Sequence, residues 1–402
     1  MSRSLLARLV ALVIASSAVA APVVVPSAVA APVVNLLKNP GFESPLAHHP
    51  WMPAAWDTFA SGLPTVFFGR DTMLAHSGRY AVSVANLSNR IPMWHNWSQV
   101  IAVGKEAWGK DLVFNVWSRS ASVQGHGYIL VQAYRDTIQK MAMTWGIDRE
   151  AASERMHINK LDDPFQNLAW KRLYFSDTET EWVKREVRVY CPPLVNIIFV
   201  RCGLLGTGQV MFDDASLTYA APRPPDAITP NANLLADPNF EGNGDDWEYS
   251  LPPYDGLIAE VDSTVKRNGK AAMHVESGVD GIVEARAGVC QAITNRNLSG
   301  KRMRVTAWVK TDSLGAVPYV IVYCSTAGGD VRESTPREIS GTVDWTKITH
   351  EFDVPPKTYM VWAWFVYDAP AHGRLWWDDT SLEVVGPALT AGTKPIKPLP
   401  DR

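Results

Sequence analysis

Along most of the chain, apolar and polar residues alternate with a period of two. Leu112, Phe114 and Val116 are interleaved with Val113, Asn115, Trp117 and Arg119, and Val183, Val187 and Val189 with Trp182, Lys184, Glu186 and Arg188. Later, Ile348, Phe352 and Val354 are set against Lys347, Thr349, Glu351 and Asp353. A period of two sends successive side chains to opposite faces of a strand. The runs are short and broken by Gly, Pro and Asn, so the pattern predicts an all-β chain of antiparallel β-sandwiches. Helical character is confined to Arg149–Met156.

The pattern occurs twice. Asn35–Glu43 (NLLKNPGFE) returns as Asn233–Glu241 (NLLADPNFE) at an offset of 198, and Ser77–Val84 as Asn268–Val275 at 191. Asn115–Ser118 matches Thr306–Val309 at 191, Trp182 matches Trp345 at 163, and Phe212–Leu217 (FDDASL) matches Trp377–Leu382 (WDDTSL) at 165. Five blocks in one order make a tandem duplication. The first repeat spans residues 35–220 and the second 233–386, joined by the Pro-rich linker 221–232. The falling offset places 191 − 163 = 28 extra residues in the first repeat, within about 137–176. Residues 387–402 are polar and aperiodic, and are expected to be a disordered tail.

Composition narrows the function. The formal net charge is −3, and removal of Arg3 and Arg8 with the first 31 residues gives 36 − 41 = −5, which argues against a nucleic-acid partner. Those 31 residues read as a secretory signal: Arg3 and Arg8 precede the apolar run Leu9–Ala15, and Ala18-Val19-Ala20 and Ala28-Val29-Ala30 offer A-x-A cleavage sites. The expectation is a secreted or cell-surface monomer with no membrane span after cleavage. Export permits disulfides, and the four cysteines divide as Cys191 with Cys202 and Cys290 with Cys324, so one bridge per repeat is expected. The 16 tryptophans are the unusual feature, as core or as flat apolar platforms for a ligand.

Together, N-L-L-x-N-P-x-F-E, S-G-x-x-[AS]-x-x-V, the strand tryptophan and [FW]-D-D-x-S-L resemble the jelly-roll, galactose-binding-like carbohydrate-binding modules found beside cellulases and xylanases. The resemblance covers both repeats and implies a polysaccharide or cell-wall glycan as partner. It also implies a structural Ca²⁺ in each repeat where the first strand, the S-G turn and the D-D strand meet. The matching residues are Glu43, Ser77, Asp213 and Asp214, then Glu241, Asn268, Asp378 and Asp379. A hard cation in oxygen ligands suits that set.

The resemblance implies a sugar groove as well, which needs aromatic platforms flanked by planar polar groups. Trp117 shares a strand face with Arg119, and Trp308 with Lys310; Gln132 and Tyr134 lie on one face of a later strand, matched by Tyr323. Gln99 and Gln291 recur after their turns, and Trp362 and Trp364 share a face in the second repeat. Trp51, Trp56, Trp94, Trp97, Trp247 and Tyr249 are candidates for the rim, whereas Trp182, Trp345 and Trp377 read as structural. No G-x-S-x-G, H-E-x-x-H, P-loop or G-x-G-x-x-G motif occurs. The acids of the insertion (Asp148, Glu150, Glu154, Asp162, Asp163) and the histidines His48, His49, His76, His95 and His157 leave a lyase or glycosidase on the first repeat as one alternative. A structural or adhesive surface protein is the other.

Overall fold

The computed structural model describes residues 34–59, 65–87, 94–157, 165–176, 178–221, 224–251, 257–278, 285–294, 297–326, 328–369 and 371–389. The leader-like residues 1–31 and nearly all of the tail lie outside the described residues. No helix among the described residues is long and apolar enough to cross a membrane.

The first repeat contains β1 (Pro45–Leu46), β2 (His49–Pro53), β3 (Asp57–Phe59), β4 (Val66–Asp71), β5 (Ala81–Asn86), β6 (Trp94–Ala102) and β7 (Asp111–Arg135). Two helices follow, α1 (Thr137–Trp145) and α2 (Arg149–Arg155), then β8 (Gln166–Phe175), β9 (Val183–Tyr190) and β10 (Ile197–Ala220). The second contains β11 (Glu248–Ser250), β12 (Ile258–Asp262), β13 (Ala272–Ser277), β14 (Ala285–Ile293), β15 (Lys301–Leu314), β16 (Pro318–Thr326), β17 (Gly329–Ser334), β18 (Gly341–Asp353), β19 (Thr358–Ala369) and β20 (Gly373–Pro387).

The second repeat has two antiparallel five-stranded sheets, β11-β14-β19-β16-β17 and β12-β13-β20-β15-β18. In the first repeat the equivalent layers are continuous rather than separate. β7 and β10 pair from Ile197↔Tyr134 to Ala220↔Asp111, with a register break between Thr207 and Gln209. Gly206 (φ +108°) and Gly208 (φ +109°) stand at that break, and a Cβ there would lie 2.1 Å from Gln124 O and 2.5 Å from Ser122 O. Only glycine tolerates such a bend, so one long strand pair curls through both layers as an eight-stranded sheet.

The repeated end blocks are explained by one clasp. Asn35 receives the N–H of Leu37 and of Leu217 on Oδ1 and donates to Ala215 O. Asn233 does the same with Leu235, Leu382 and Thr380 O. Phe42 packs on Trp56 and Phe240 on Trp247, each at 4.8 Å between ring centroids. Trp56, Trp97 and Trp247 are therefore core residues and not groove rim.

The insertion holds more structure than the sequence pattern predicts. α1 is capped by Asp136, whose Oδ1 accepts the N–H of Gln139, and stops at Gly146 in the left-handed conformation; Asp148 caps α2. The same segment supplies β8, a full strand of the sheet.

All four cysteines are free and buried, which corrects the expectation of one bridge per repeat. Cys290 is registered with Trp364 and Cys324 with Val361, on opposite sides of β19. Two strand spacings are about 9.5 Å, beyond the roughly 7 Å Cα separation a disulfide spans. Cys191 bonds Lys110 O at the start of β7, whereas Cys202 lies against Ile129 in its second half. Burial pushes all four thiols up, Cys191 and Cys324 to about 12.

Candidate functional site: an aromatic groove between the repeats

One face of the sheet β11-β14-β19-β16-β17 carries residues of the parity opposite to the core. Cys290, Trp362, Trp364, Tyr323 and Arg286 stand there beneath a cavity of about 560 Å³. The first repeat supplies the opposite wall, with Trp94 from β6 and Asn167, Trp170 and Arg172 from β8. Four rings run in sequence along the groove. Trp170 to Trp362 is 5.8 Å, Trp362 to Trp364 5.9 Å, and Trp364 to Tyr323 5.8 Å between centroids. The indole N–H of Trp364 is buried and has no hydrogen-bond partner.

The polar groups are firmly held. Glu248 forms an ion pair of 2.5 Å with Arg172 and accepts from Trp170 Nε1 (3.2 Å) and Tyr174 OH (3.3 Å). The Arg172 guanidinium lies 4.1 Å from the Trp94 ring centroid and 4.8 Å from that of Trp170. Burial works against its charge, but Glu248, Tyr174 and Tyr128 together outweigh that, so its pKa stands above the usual guanidinium value. Arg286 donates from Nε to Tyr319 OH (2.9 Å) and from Nη1 to Tyr323 OH (2.7 Å). Burial pushes the Tyr319 hydroxyl up to about 12 and the Tyr323 hydroxyl upward, so both act as neutral acceptors.

Of the sugar-binding candidates, Tyr323, Trp362 and Trp364 meet in this groove, with Trp94 and Tyr249 from the rim set. The others stand elsewhere. Trp117 is stacked on His76 at 4.1 Å and Trp308 lies under the Arg267 guanidinium at 3.7 Å, both on the layer away from the groove. Arg119 follows Trp117 on that layer, and Lys310 is paired with Asp344 at 2.6 Å. Gln99 spends its amide on the N–H and C=O of Lys38, and Gln291 on those of Ala236, so both are clamps for the incoming chain. Gln132 and Tyr134 are buried, bonded to each other at 2.6 Å, with Phe165 stacked on Tyr134 at 4.6 Å. The first repeat's own concave face is thus closed. Tyr128, Leu130, Tyr174 and Leu205 share one hydrophobic cluster with Trp247 and Tyr249 of the second repeat. Trp170, Arg172, Glu248 and Arg286 escaped the sequence reading, although the period-two run Trp170, Arg172, Tyr174 inside the insertion is a visible strand signal.

The residues matched to a calcium site converge in each repeat. Glu43 Oε1 accepts the N–H groups of Arg79 (2.8 Å) and Tyr80 (3.1 Å), and Asp213 Oδ2 those of His76 (2.8 Å) and Ser77 (3.1 Å). Glu241 accepts from Lys270 N–H, and Asp378 from those of Arg267 and Asn268. Burial raises the Asp213 carboxyl to about 6 and moves Asp378 the same way. Asp214 and Asp379 turn outward: the first lies 2.6 Å from His76 Nδ1 and accepts from Ser77 Oγ, and the second is bound by Arg267 and Asn268. Among the described residues no three His, Cys, Asp or Glu side chains are grouped to hold a metal. The inner pair, Glu43 with Asp213 or Glu241 with Asp378, is an all-oxygen donor set of the kind a hard cation takes, with the aspartates also accepting backbone N–H groups. The histidines do not assemble: His95 is buried in the core, His76 is taken by Asp214, and His49 lies 6.3 Å from Trp51.

No protein-family model matches the chain, and no curated protein matches it in sequence. Among solved structures it is similar to the N-terminal CBM22-1-CBM22-2 tandem domain of Paenibacillus barcinonensis Xyn10C, at 12% identity and a TM-score of 0.30, with 88% of this chain and 98% of that one covered. It is also similar to the CBM22-1 xylan-binding domain of the same protein, at 16% identity and a TM-score of 0.32 over 40% of this chain and 100% of that one. A third neighbour is the C-terminal family 22 carbohydrate binding module of Clostridium thermocellum Xyn10B, at 14% identity and a TM-score of 0.32 over 41% of this chain and 99% of that one.

Proposed function

We propose that the chain is an exported, non-catalytic glycan-binding protein whose binding site is the groove shared by the two repeats. The observation that carries this reading is the run of four rings, Trp170, Trp362, Trp364 and Tyr323, at spacings of 5.8–5.9 Å along one open cavity. Sugar rings offer apolar C–H faces to such a platform and hydroxyls to the polar groups beside it. Binding without cleavage is favoured by the carboxylates. Glycoside hydrolysis uses a pair, and of the two carboxylates lining the cavity among the described residues Glu248 is engaged by Arg172, Trp170 and Tyr174, which leaves Asp330. Export rests on the leader-like residues 1–31.

Calcium belongs to the same proposal as a structural ion. Glu43 with Asp213, and Glu241 with Asp378, would hold it, and its charge would tie the two ends of each repeat together. The test of the binding reading is retention of the whole chain on a panel of soluble and insoluble polysaccharides, with released sugar assayed in the same samples. Retention without release that is lost in Trp364→Ala supports it. Retention on none of the panel overturns it.

A further inference from the structure

The groove has a charged end that its aromatic platform does not require. Arg286, on β14, lines the cavity and is fixed from behind by two tyrosine hydroxyls, Tyr319 and Tyr323. A guanidinium carries five N–H donors, and these contacts use two; among the described residues no other hydrogen bond takes the remaining three. Its register neighbour on β19 is Asp368, but that carboxylate is occupied by Arg337 (2.6 Å) and by the Tyr319 hydroxyl (2.6 Å). Among the described residues the anions lining the same cavity are Glu248, paired with Arg172, and Asp330 on β17.

We propose that Arg286 makes the groove select a carboxylate-bearing, uronic-acid-containing glycan. The inference rests on the groove binding a glycan at all. A preoriented guanidinium with free N–H groups matches a planar carboxylate and takes it by paired, charge-assisted hydrogen bonds. A neutral sugar leaves those donors to water.

The experiment compares the whole chain on two matched pairs of probes: polygalacturonate with its methyl ester, and glucuronoxylan with its carboxyl-reduced form. The acidic member is expected to bind on the order of tenfold more tightly, the scale of one hydrogen bond to a charged group, with the preference shrinking in high salt. Arg286→Gln is expected to remove the preference, lowering the affinity for the acidic member by more than that for the neutral one. Arg286→Lys is expected to restore part of it. Equal binding of both members by the unaltered chain overturns the inference and leaves glycan binding standing. Retention on none of the four overturns the inference, while the wider polysaccharide panel decides the glycan reading itself. Thermal melting of each variant separates lost recognition from lost folding, and the comparison on the unaltered chain needs no variant.

Discussion

Arg172 of the first repeat and Glu248 of the second form an ion pair of 2.5 Å in the wall of the groove, ringed by Trp94, Trp170 and Tyr174. The pair locks the strand born of the insertion onto the first strand of the second repeat. Removing one partner leaves a buried charge unpaired, which costs about 3–5 kcal/mol. Glu248→Gln is therefore expected to lose stability on that scale in urea unfolding. The double variant Arg172→Met with Glu248→Gln should lose less than the sum of the single changes.

Trp170 lies in the first repeat yet faces Trp362 of the second at 5.8 Å. Trp170→Ala should weaken glycan retention and also lower the melting temperature, because the ring donates to Glu248 and lies against Arg172; Trp170→Phe, which keeps a ring there, should retain more of both. Trp117→Ala and Trp308→Ala, on the far layer, should leave retention unchanged. Affinity electrophoresis of the four variants on one polysaccharide, with a melting curve for each, separates these outcomes.

Chelation tests the cation proposed at Glu43 with Asp213 and at Glu241 with Asp378. An ion held in the native state alone stabilises by about 2.7 kcal/mol at a hundred times its Kd, so EDTA should lower Tm by roughly 5–10 °C. Excess calcium should restore it. A melting curve that EDTA leaves in place removes calcium from the account.

His95 is fully buried, both ring nitrogens lack partners, and desolvation lowers its pKa to about 4. The unfolded chain, with an ordinary value near 6.5, takes up a proton there before the native state does. Stability from this residue is complete above about 6.5 and is lost as pH falls towards 4, by up to about 3 kcal/mol. His95→Gln should flatten that part of a stability–pH curve measured by denaturant unfolding.

The free thiols give a direct count. The native protein should react slowly with a thiol reagent, since burial holds every thiol far from ionisation. After denaturation without reductant, four thiols per chain should react. Two or none would restore the disulfides.

Strand period and the five repeated blocks were enough to read an all-β tandem, because alternation and turn residues act locally. The clasp at Asn35 and Asn233 even shows why the two end blocks recur together. The groove was only partly legible. Trp362 and Trp364 share a strand face in the sequence, but alternation cannot tell which of two layers a face belongs to. For that reason Trp117 and Trp308, equally conspicuous, stand on the wrong layer. Trp170 and Arg172 sit in a segment whose length marked it as an insertion, and their role depends on contact with Glu248, 76 positions on from Arg172. No periodicity reports a contact of that kind. The cysteines failed for a similar reason, since compartment and count do not reveal that β19 stands between Cys290 and Cys324.

Duplicating a binding domain ordinarily doubles the number of hands a chain can lay on a polymer. Here the first repeat's concave face is buried against the second, and its aromatic side chains complete its neighbour's groove. If the proposed groove is where glycan binds, the two repeats share one site there, and one chain would decorate a polysaccharide without bridging two of them. Cross-linking or agglutination would then require several chains displayed together.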